Sequence, residues 1–424
     1  MTTLIGVFIV AVGVLLCGYL LLRFNSLWIY KLFDRAVRNE RNFVPPQYEL
    51  PRYFVLDSAG KVDTHVRWPG WDGWYFFMVP EDATIPINMV RASLMTGLYG
   101  LEGIDNYQKL PPGLSAFDVV EHLVLVADEE AAGKPESNLV QAAAEKKIRL
   151  SQRYLPKPTL EMSSTALGVT VSFGEGSDAL KGTLYGRVRG RWPDYEMAFE
   201  SPQEGIAFAL RYKGENLVWW ADVPGVFTYF AAFGGFEGTI TCRRSQPSAA
   251  EPANLSYSLR GRGSFEHGCA RKPFNFDFFY SPVKLWQCVV PSFRPVRYHY
   301  ELLIGDKGLH GGFMFARAFG IDFRNRGGIY AGGKYLPITG VQIEYQEQGA
   351  DRVYTYGPDK PPVVFFRRWK VTAATSEGPL EYSAWREWPP PVIAKNMMYY
   401  NYQFEGTFRG ERIQGKGYGE YVNI

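Results

Sequence analysis

The sequence predicts a mainly β protein, built of two antiparallel barrels with a small helical insertion and one N-terminal transmembrane helix. From about residue 157 to the C-terminus, short runs of alternating polar and apolar residues follow one another, and Gly, Pro or Asp separates them. Aromatic residues make up 16% of the chain and Gly reaches 44 residues, a composition that favours strands and tight turns. An uncharged apolar run near the N-terminus adds the predicted transmembrane helix.

The predicted transmembrane helix is the run LIGVFIVAVGVLLCGYLLL, residues 4–22, which covers roughly 28 Å as a helix and so nearly matches a bilayer core. A cleaved signal peptide is the alternative, but no cation precedes the run and bulky residues end it. Cations that follow the run place the body on the cytoplasmic side. These cations are Arg23, Lys31, Arg35, Arg38 and Arg41. We therefore expect a single-pass membrane protein that contacts the lipid bilayer through residues 4–22.

Composition divides the chain into four predicted parts. Residues 1–24 form the anchor, and residues 25–50 form a juxtamembrane segment and a linker, because the prolines of NFVPPQYELP disfavour helix and lack ladder donors. Residues 51–285 form a first barrel domain and residues 286–424 a second. The juxtamembrane segment either lies along the lipid headgroups or packs on the body, and the sequence leaves both open.

A helical insertion is predicted at residues 115–153, inside the first domain. Residues 115–130 open with a serine that can cap a helix and repeat apolar residues at helical spacing, and residues 137–153 combine another serine with strong helix formers. Upstream, three tryptophans at 68, 71 and 74 surround Pro-Gly and Asp-Gly turns. Such a cluster is typical of a core or an interface, and a ligand cage is the alternative.

Charge and motif content exclude several classes of function. The net charge is only +3, with Lys and Arg scattered among acids, so the chain has no basic patch for nucleic acid. The P-loop, dinucleotide and zinc-helix motifs do not occur in a matching context, and no two of the five histidines lie at metal-ligand spacing. Four irregularly spaced cysteines fit a cytosolic compartment. We expect no nucleic-acid partner, no metal and no cofactor.

A short motif occurs twice, once at residues 256–268 and once at residues 410–422. In each copy a Gly-x-Gly pair is followed three residues later by a glutamate, Glu266 in the first copy and Glu420 in the second. A repeat at this long spacing predicts two copies of one barrel. In each barrel the last strand would pair with the first, which leaves no exposed edge there, and the glycines would let that strand bend.

The chain resembles the two-domain lipocalin-like group, which includes hydroxyneurosporene synthase-type carotenoid hydratases, AttH-like proteins, survival-factor-like proteins and fungal decalin-forming cyclases. The resemblance covers roughly residues 157–424 and is carried by GKGYGEYV and GSFEHG. It implies two lipocalin-like barrels and an apolar cavity for a long hydrophobic or isoprenoid ligand. The hydratase-like members carry an Asp-His pair followed by Trp. Glu266 and His267 match the pair, and Gly268 and Cys269 follow them.

Glu266 and His267 are the candidate catalytic residues. Neighbours on a strand point to opposite faces, so only one of the two can face a cavity. A carboxylic acid buried among aromatic rings has a raised pKa and can protonate an alkene or assist a cyclisation. The alternative is structural, with Glu266 closing the mouth of the barrel through an arginine partner such as Arg262 or Arg271.

Five further residues are candidate ligand-binding positions. In the predicted strand YHYELLIG, alternation places His299 and Glu301 on one face, where an imidazole and an acid can share a proton or a ligand. His310 follows, beside the glycines of a predicted turn, where the chain can approach a ligand. Tyr418 and Glu420 lie in the C-terminal copy of the repeated motif.

Two classes of function fit these observations, and a membrane-linked scaffold whose barrels are filled solidly by side chains is a third, non-catalytic reading. The first is a membrane-tethered protein that binds or transfers a hydrophobic molecule such as an isoprenoid, a sterol or an acyl lipid. The second is a hydratase, isomerase or cyclase that acts on such a molecule by general acid catalysis. The incomplete hydratase-like motif favours the first class. Convergence of Glu266 or His267 with a second acid or a tyrosine at one buried point would favour the second.

Overall fold

The computed structural model shows a mainly β protein, which confirms the predicted fold class at this level. Its strands form two large antiparallel sheets and one small pair. The structure describes residues 6, 12–17, 58, 70–82, 84–96, 119–128, 148–156, 160–165, 168–174, 180–223, 227–243, 253–271, 296–318, 321–346, 353–354, 363–364, 366–386, 392–394 and 397–423.

The first sheet has 11 strands. They are β1 (Gly70–Pro80), β2 (Ile87–Thr96), β3 (Val119–Asp128), β4 (Ile148–Pro156), β5 (Leu160–Thr165), β6 (Gly168–Phe173), β7 (Tyr185–Arg191), β8 (Asp194–Ser201), β9 (Ile206–Val223), β10 (Phe227–Arg243) and β11 (Asn254–Arg271). Their order in the sheet is β4-β3-β2-β1-β11-β10-β9-β8-β7-β6-β5. The last strand therefore pairs with the first, and the two edges are the successive strands β4 and β5.

The second sheet and the small pair contain the remaining strands. They are β12 (Val296–Gly305), β13 (His310–Ala318), β14 (Ile321–Ala331), β15 (Lys334–Ile338), β16 (Gly340–Gln346), β17 (Val353–Tyr354), β18 (Val363–Val364), β19 (Arg368–Thr375), β20 (Gly378–Trp385), β21 (Val392–Ala394), β22 (Met397–Phe408) and β23 (Glu411–Asn423). The sheet order is β15-β14-β13-β12-β23-β22-β20-β19-β16, with β21 on β22, while β17 pairs with β18. Here too the last strand pairs with the first, and the edges β15 and β16 are neighbours in sequence.

The predicted helical insertion at residues 115–153 is wrong wherever the structure describes it. Residues 119–128 form β3 and residues 148–156 form β4, and both strands extend the first sheet beyond β2. The physical reason is that an apolar run of this length, rich in Val and Leu, suits a strand as well as one face of a helix. Pairing with β2 also supplies hydrogen-bond partners for the backbone. The segment between the two strands lies outside the described residues.

The predicted transmembrane helix lies outside the described residues except for residue 6 and a helical stretch at residues 12–17. No helix among the residues that are described is both long and apolar enough to cross a bilayer. The juxtamembrane segment and linker, residues 25–50, also lie outside the described part of the chain.

Each large sheet has its own apolar core. The core of the first sheet includes Phe76, Tyr195 and Phe265, and that of the second includes Trp369 and Tyr402. Because side chains alternate along a strand, the residues between these core positions point to the opposite face of their sheet.

The two sheets pack against each other through those opposite faces, near the paired first and last strands. Phe77 of β1 stacks on Tyr418 of β23 with ring centres 4.6 Å apart. Nearby, Asn401 Nδ2 donates to the carbonyl of Asn88 at 2.6 Å, and the Lys416 ammonium donates to a carbonyl of β1. We call the buried surface between the sheets the inter-sheet layer. It is formed by Phe77, Arg91, Ser93, Tyr229, Ser264 and Glu266 from the first sheet and by Tyr298, Tyr300, Tyr418 and Glu420 from the second.

The glycines of the repeated motif allow close approach of neighbouring strands. A Cβ on Gly263 would lie 1.9 Å from the Phe77 carbonyl oxygen of β1, and a Cβ on Gly417 would lie 2.3 Å from the Leu302 carbonyl oxygen of β12. Both distances are impossible for real atoms, so a side chain at either position would push the first and last strands of its sheet apart. The absence of a side chain at these glycines therefore allows the first and last strands to pair closely, at matching places in the two sheets.

Candidate functional site

Glu266 is the centre of the inter-sheet layer. The residue lies on β11, is only 3% exposed, and accepts hydrogen bonds from three hydroxyl groups. Tyr229 of β10 donates to Oε2, while Ser264 of its own strand and Tyr300 of β12 donate to Oε1 at 3.0 Å and 2.6 Å. Because Tyr300 belongs to the second sheet, the donors of this carboxyl come from both sheets.

Burial raises the pKa of Glu266 above its ordinary value, since the charged form loses its hydration. The hydroxyl donors Tyr229, Tyr300 and Ser264, and the positive charge of Arg91, act in the opposite direction and hold the rise in check. Burial also raises the pKa of both tyrosines far above the usual range, and the charge of Glu266 adds to that rise. The two phenols therefore remain protonated donors at neutral pH.

Arg91 brings a fully buried positive charge into the same layer. Its guanidinium lies 5.3 Å from the ring centre of Phe77, and its charge lowers the pKa of Glu266. The arginine considered from sequence, Arg262, pairs instead with Glu215 and, at 3.7 Å, with Glu81 near the surface. The side chain of Arg271 lies outside the described residues. Arg262 therefore does not close the site around Glu266, and that part of the structural alternative is wrong.

His267 points the other way, into the core of the first sheet. Its Nε2 lies 2.6 Å from Asp72 Oδ1 of β1, and its ring stacks on Trp74 with centres 5.1 Å apart. Both members of the pair are buried, with 1% of His267 and none of Asp72 exposed. The catalytic candidates thus lie on opposite faces, and only Glu266 faces the inter-sheet layer. Trp74 of the tryptophan cluster is a core residue.

His299 and Glu301 lie together inside the core of the second sheet. His299 Nε2 is 2.6 Å from Glu301 Oε1, and Trp369 Nε1 donates to the same oxygen at 2.5 Å. Tyr382 donates to the other carboxylate oxygen, and His299 Nδ1 is 2.9 Å from the hydroxyl of Tyr345. Both oxygens of this carboxylate are therefore occupied by donors of the same sheet, which is the arrangement of a buried structural network.

His310 lies at the edge of the contact between the sheets. Its ring is sandwiched between Phe233 of β10 at 4.3 Å and Tyr330 of β14 at 5.2 Å. Nε2 is 2.7 Å from Asn216 Nδ2, and Nδ1 is 3.1 Å from the carbonyl of Gly308. An amide Nδ2 only donates and a carbonyl only accepts, so this geometry fits a neutral imidazole with its proton on Nδ1. Burial lowers the pKa of His310 in agreement with that state.

Tyr418 and Glu420 face the inter-sheet layer from the second sheet. Glu420 is 7% exposed, and the hydroxyl of Tyr418 donates to its Oε1 at 2.9 Å. Tyr298 of β12 approaches Oε2 at 3.5 Å, the limit of a hydrogen bond. The layer thus holds a second buried carboxyl with tyrosine donors.

The cavities that surround the first sheet differ in their chemistry. An open cleft of about 900 Å³ is lined mainly by charged side chains, among them the row Arg189, Glu196, Arg211, Glu237 and Arg260 of alternating sign across five strands. Two spaces in the apolar core measure only about 30 Å³ and about 10 Å³, room for one or two water molecules. None of the three offers a long hydrophobic ligand an apolar pocket of its own size.

The structure brings together only part of the site that the sequence predicts. Glu266, Tyr418 and Glu420 share the inter-sheet layer, whereas His267 lies in the first core and the His299–Glu301 pair in the second. Sequence reasoning missed the donors of Glu266, although alternation in YHYELLIG already set Tyr300 on the face opposite His299. Within the described part of the chain, no group of three or more His, Cys, Asp or Glu side chains could hold a metal ion.

The fold and this site define the broad class of the chain, a protein of two large antiparallel sheets with buried carboxyls between them. No family model and no curated protein sequence matches it. Among solved structures, kievitone hydratase from Nectria haematococca is 10% identical with a TM-score of 0.45, and the match covers 92% of this chain and 95% of that one. OccAB4 from Acinetobacter baumannii is 7% identical with a TM-score of 0.12, covering 84% and 96%. At these TM-scores neither likeness supports a conclusion about fold or function.

Proposed function

We propose that this protein binds a hydrophobic unsaturated molecule at the inter-sheet layer and that Glu266 protonates a carbon–carbon double bond of it, in a hydration or an isomerisation. The observation that carries the proposal is the convergence of a buried carboxyl with two tyrosine hydroxyls and a serine hydroxyl at one point. Simple carriage of an apolar molecule requires no such group, so the convergence favours catalysis over transfer.

Burial prepares Glu266 to act as the acid. Its raised pKa keeps the carboxyl protonated to higher pH than an exposed glutamate, which favours its role as a proton donor. Once the proton leaves, the carboxylate is stabilised by the hydroxyl donors already in place, at no cost of reorganisation. Tyr229 and Tyr300 therefore stabilise the ionised carboxylate of Glu266, whereas burial favours its protonated form.

The chemistry of the layer also indicates the class of substrate. Its buried surface combines the stacked rings of Phe77 and Tyr418 with phenol groups, which suits an apolar polyene or isoprenoid with few polar groups. In hydration, one alkene carbon takes the proton of Glu266, the other bonds to the oxygen of a water molecule, and that water loses its second proton to a carboxylate of the layer. In isomerisation, the alkene takes one proton and loses another from an adjacent carbon. Either reaction needs no cofactor.

Solvent deuterium provides the test, because protonation of a carbon leaves a stable label. The full-length chain in detergent is incubated in heavy water with the total lipid extract of the expressing cells, and every lipid is followed by mass spectrometry. We expect one lipid to gain carbon-bound deuterium with the native chain. Glu266→Gln should slow this labelling on the order of 100-fold or more, the usual contribution of a general acid.

The matched control is Glu405→Gln, the same change at an exposed acid of the second sheet whose partner is Arg412. It should label at the native rate. Equal labelling by Glu266→Gln would refute the proposal. A lipid that copurifies with both chains and never gains deuterium would instead identify a carrier.

We also propose that the two sheets are lipocalin-like barrels, the domains of residues 51–285 and 286–424, and that residues 4–22 anchor them to the cytoplasmic face of a membrane. The pairing of the first with the last strand in each sheet supports the first point. The uncharged run and the cations after it support the second. Deleting residues 1–24 should release a folded chain into the soluble fraction, and a folded chain that still pellets with membranes would contradict the anchor.

A further inference from the structure

We infer that Glu420 is a second catalytic carboxyl of the inter-sheet layer and serves as the base that removes a proton from water or substrate while Glu266 donates one. The inference rests on the proposed function. That function names the group that donates a proton, and the inference names the group that accepts one. It stands on the place of Glu420 in the sheet, its contacts, and the connection of those contacts to Glu266.

The two glutamates occupy equivalent places in the two sheets. Glu266 lies on the last strand of the first sheet, directly opposite Tyr75 of the first strand. Glu420 lies on the last strand of the second sheet, directly opposite Tyr300 of its first strand. Both face the layer, because their neighbours Phe265 and Tyr421 belong to the two separate cores.

Two tyrosines of β12, Tyr298 and Tyr300, approach the two carboxyls. The hydroxyl of Tyr298 approaches Glu420 Oε2 at 3.5 Å. The same residue interacts electrostatically with Tyr229 and Tyr300, the two phenols that donate to Glu266. Tyr298 and Tyr300 lie two residues apart on β12 and share one face of the strand, so one of them approaches each acid, and hydroxyl groups can both donate and accept a proton. A proton taken up by Glu420 has a route back to Glu266.

At the contact between the sheets, the side chains of Ser93 and Asn401 each have one buried polar atom without a hydrogen-bond partner among the described residues. One is the hydroxyl of Ser93, which is 3% exposed. Ser93 on β2 lies directly opposite Tyr75 on β1, and Tyr75 in turn lies opposite Glu266 on β11. The other is Oδ1 of Asn401, which lies opposite Tyr418 on β22. Buried polar groups are nearly always hydrogen-bonded, so such atoms indicate a place for a water molecule or a substrate group.

The reaction balances with these two residues. In hydration, Glu420 takes a proton from water, the hydroxide oxygen bonds to one alkene carbon, and Glu266 gives its proton to the other carbon. In isomerisation, Glu420 instead takes a proton from the carbon beside the double bond. In both cases Glu266 ends ionised and Glu420 protonated, and transfer through the tyrosines restores the starting state. A pair of carboxyls held in different environments is a common way to divide acid and base roles.

The experiment combines two measurements on the full-length chain, and neither needs a known substrate. Infrared titration follows the protonated carboxyl band that Glu266→Gln removes. Heavy-water labelling of the total lipid extract is then repeated with Glu420→Gln and with the control Glu405→Gln. Loss of the negative charge of Glu420 should let Glu266 ionise at a pH lower by on the order of one unit. Labelling should fall on the order of 100-fold. Glu405→Gln should change neither.

The outcomes separate this inference from the proposed function. If Glu266→Gln abolishes labelling and Glu420→Gln does not, Glu420 is not the base, while the proposed function stands. If Glu266→Gln labels normally, the proposed function fails first. A shift of the titration without loss of labelling would also overturn the inference, because it shows proximity alone. Tyr298→Phe should slow repeated turnovers but not the first, and an equal loss in both would refute the return path.

Discussion

Glu266 and Glu301 are two buried carboxyls with tyrosine donors, yet their surroundings differ in one decisive respect. The donors of Glu301, Trp369 and Tyr382, belong to the sheet that contains it. Glu266 takes one of its donors, Tyr300, from the opposite sheet. The Glu301 network therefore forms when one sheet folds, whereas the Glu266 network is complete only when both sheets are packed together.

The difference is the reason why the proposed function is assigned to Glu266 and not to Glu301. The Glu301 network is buried and hydrogen-bonded within one sheet, an arrangement that adds to the specificity of that core. A network on the surface between two bodies can open when the bodies separate slightly, and pockets occur preferentially at such contacts. Substitutions at the two carboxyls should accordingly have different consequences.

The largest effect on stability is expected at Glu301. Glu301→Ala removes the acceptor of His299, Trp369 and Tyr382 inside a closed core, and each buried donor left without an acceptor should lower the free energy of unfolding by about 1–3 kcal/mol. Urea denaturation measures the change. As a control, Glu196→Gln at an exposed pair with Arg189 should leave the midpoint unchanged. A loss below about 1 kcal/mol for Glu301→Ala would contradict the structural role that distinguishes the Glu301 network from the Glu266 network.

A smaller effect, with a defined pH dependence, is expected at Glu266. The pKa of this carboxyl is raised in the folded chain, so the folded state binds the proton more tightly than the unfolded state. Its contribution to stability is therefore full below its ordinary pKa of 4.5 and is lost as pH rises through the folded pKa. Unfolding free energies of the native chain and Glu266→Gln, measured between about pH 4 and pH 8, should converge or cross as pH rises. Parallel curves would show that burial does not shift the pKa of Glu266.

The smallest effect is expected at His310, at the edge of the same contact. Burial lowers the pKa of its imidazole in the folded chain, while Glu215 and Arg262 act on it in opposite directions. The unfolded state then binds the proton more readily, so stability should fall as pH drops below about 6.5. His310→Gln should remove that slope between about pH 5 and pH 7 in thermal unfolding. An unchanged slope would show that a group other than His310 causes this pH dependence of stability.

Much of the fold was predictable from alternation and turns. The strands that carry Glu266, His299 and Glu420 were all expected from sequence, since polar and apolar residues alternate there. Alternation also indicated that Glu266 and His267 would face different ways. Residues 119–128 were predicted as helix but form a strand. Their short apolar run fits either structure, and only the pairing with β2 decides between them.

The partners at the site were not predictable in the same way. Asp72 meets His267, and Tyr229 meets Glu266, only because strands far apart in sequence become neighbours in the sheet. Tyr300 reaches Glu266 through the packing of one sheet on the other, which no single-strand pattern encodes. The sequence could identify which residues face outward, but register and packing decide which of them meet.

The pairing of first with last strands also bears on how the chain is made. The first sheet joins Gly70 to Arg271, so its closing contact must wait until β11 has left the ribosome. Contacts between such distant segments are slow to form, because loop closure must precede any gain from them. During that interval β1 carries an unpaired edge, the kind of surface that chaperones protect and that otherwise aggregates. A truncation that ends between residues 243 and 254 should therefore yield an insoluble chain, even though it retains ten of the 11 strands of that sheet.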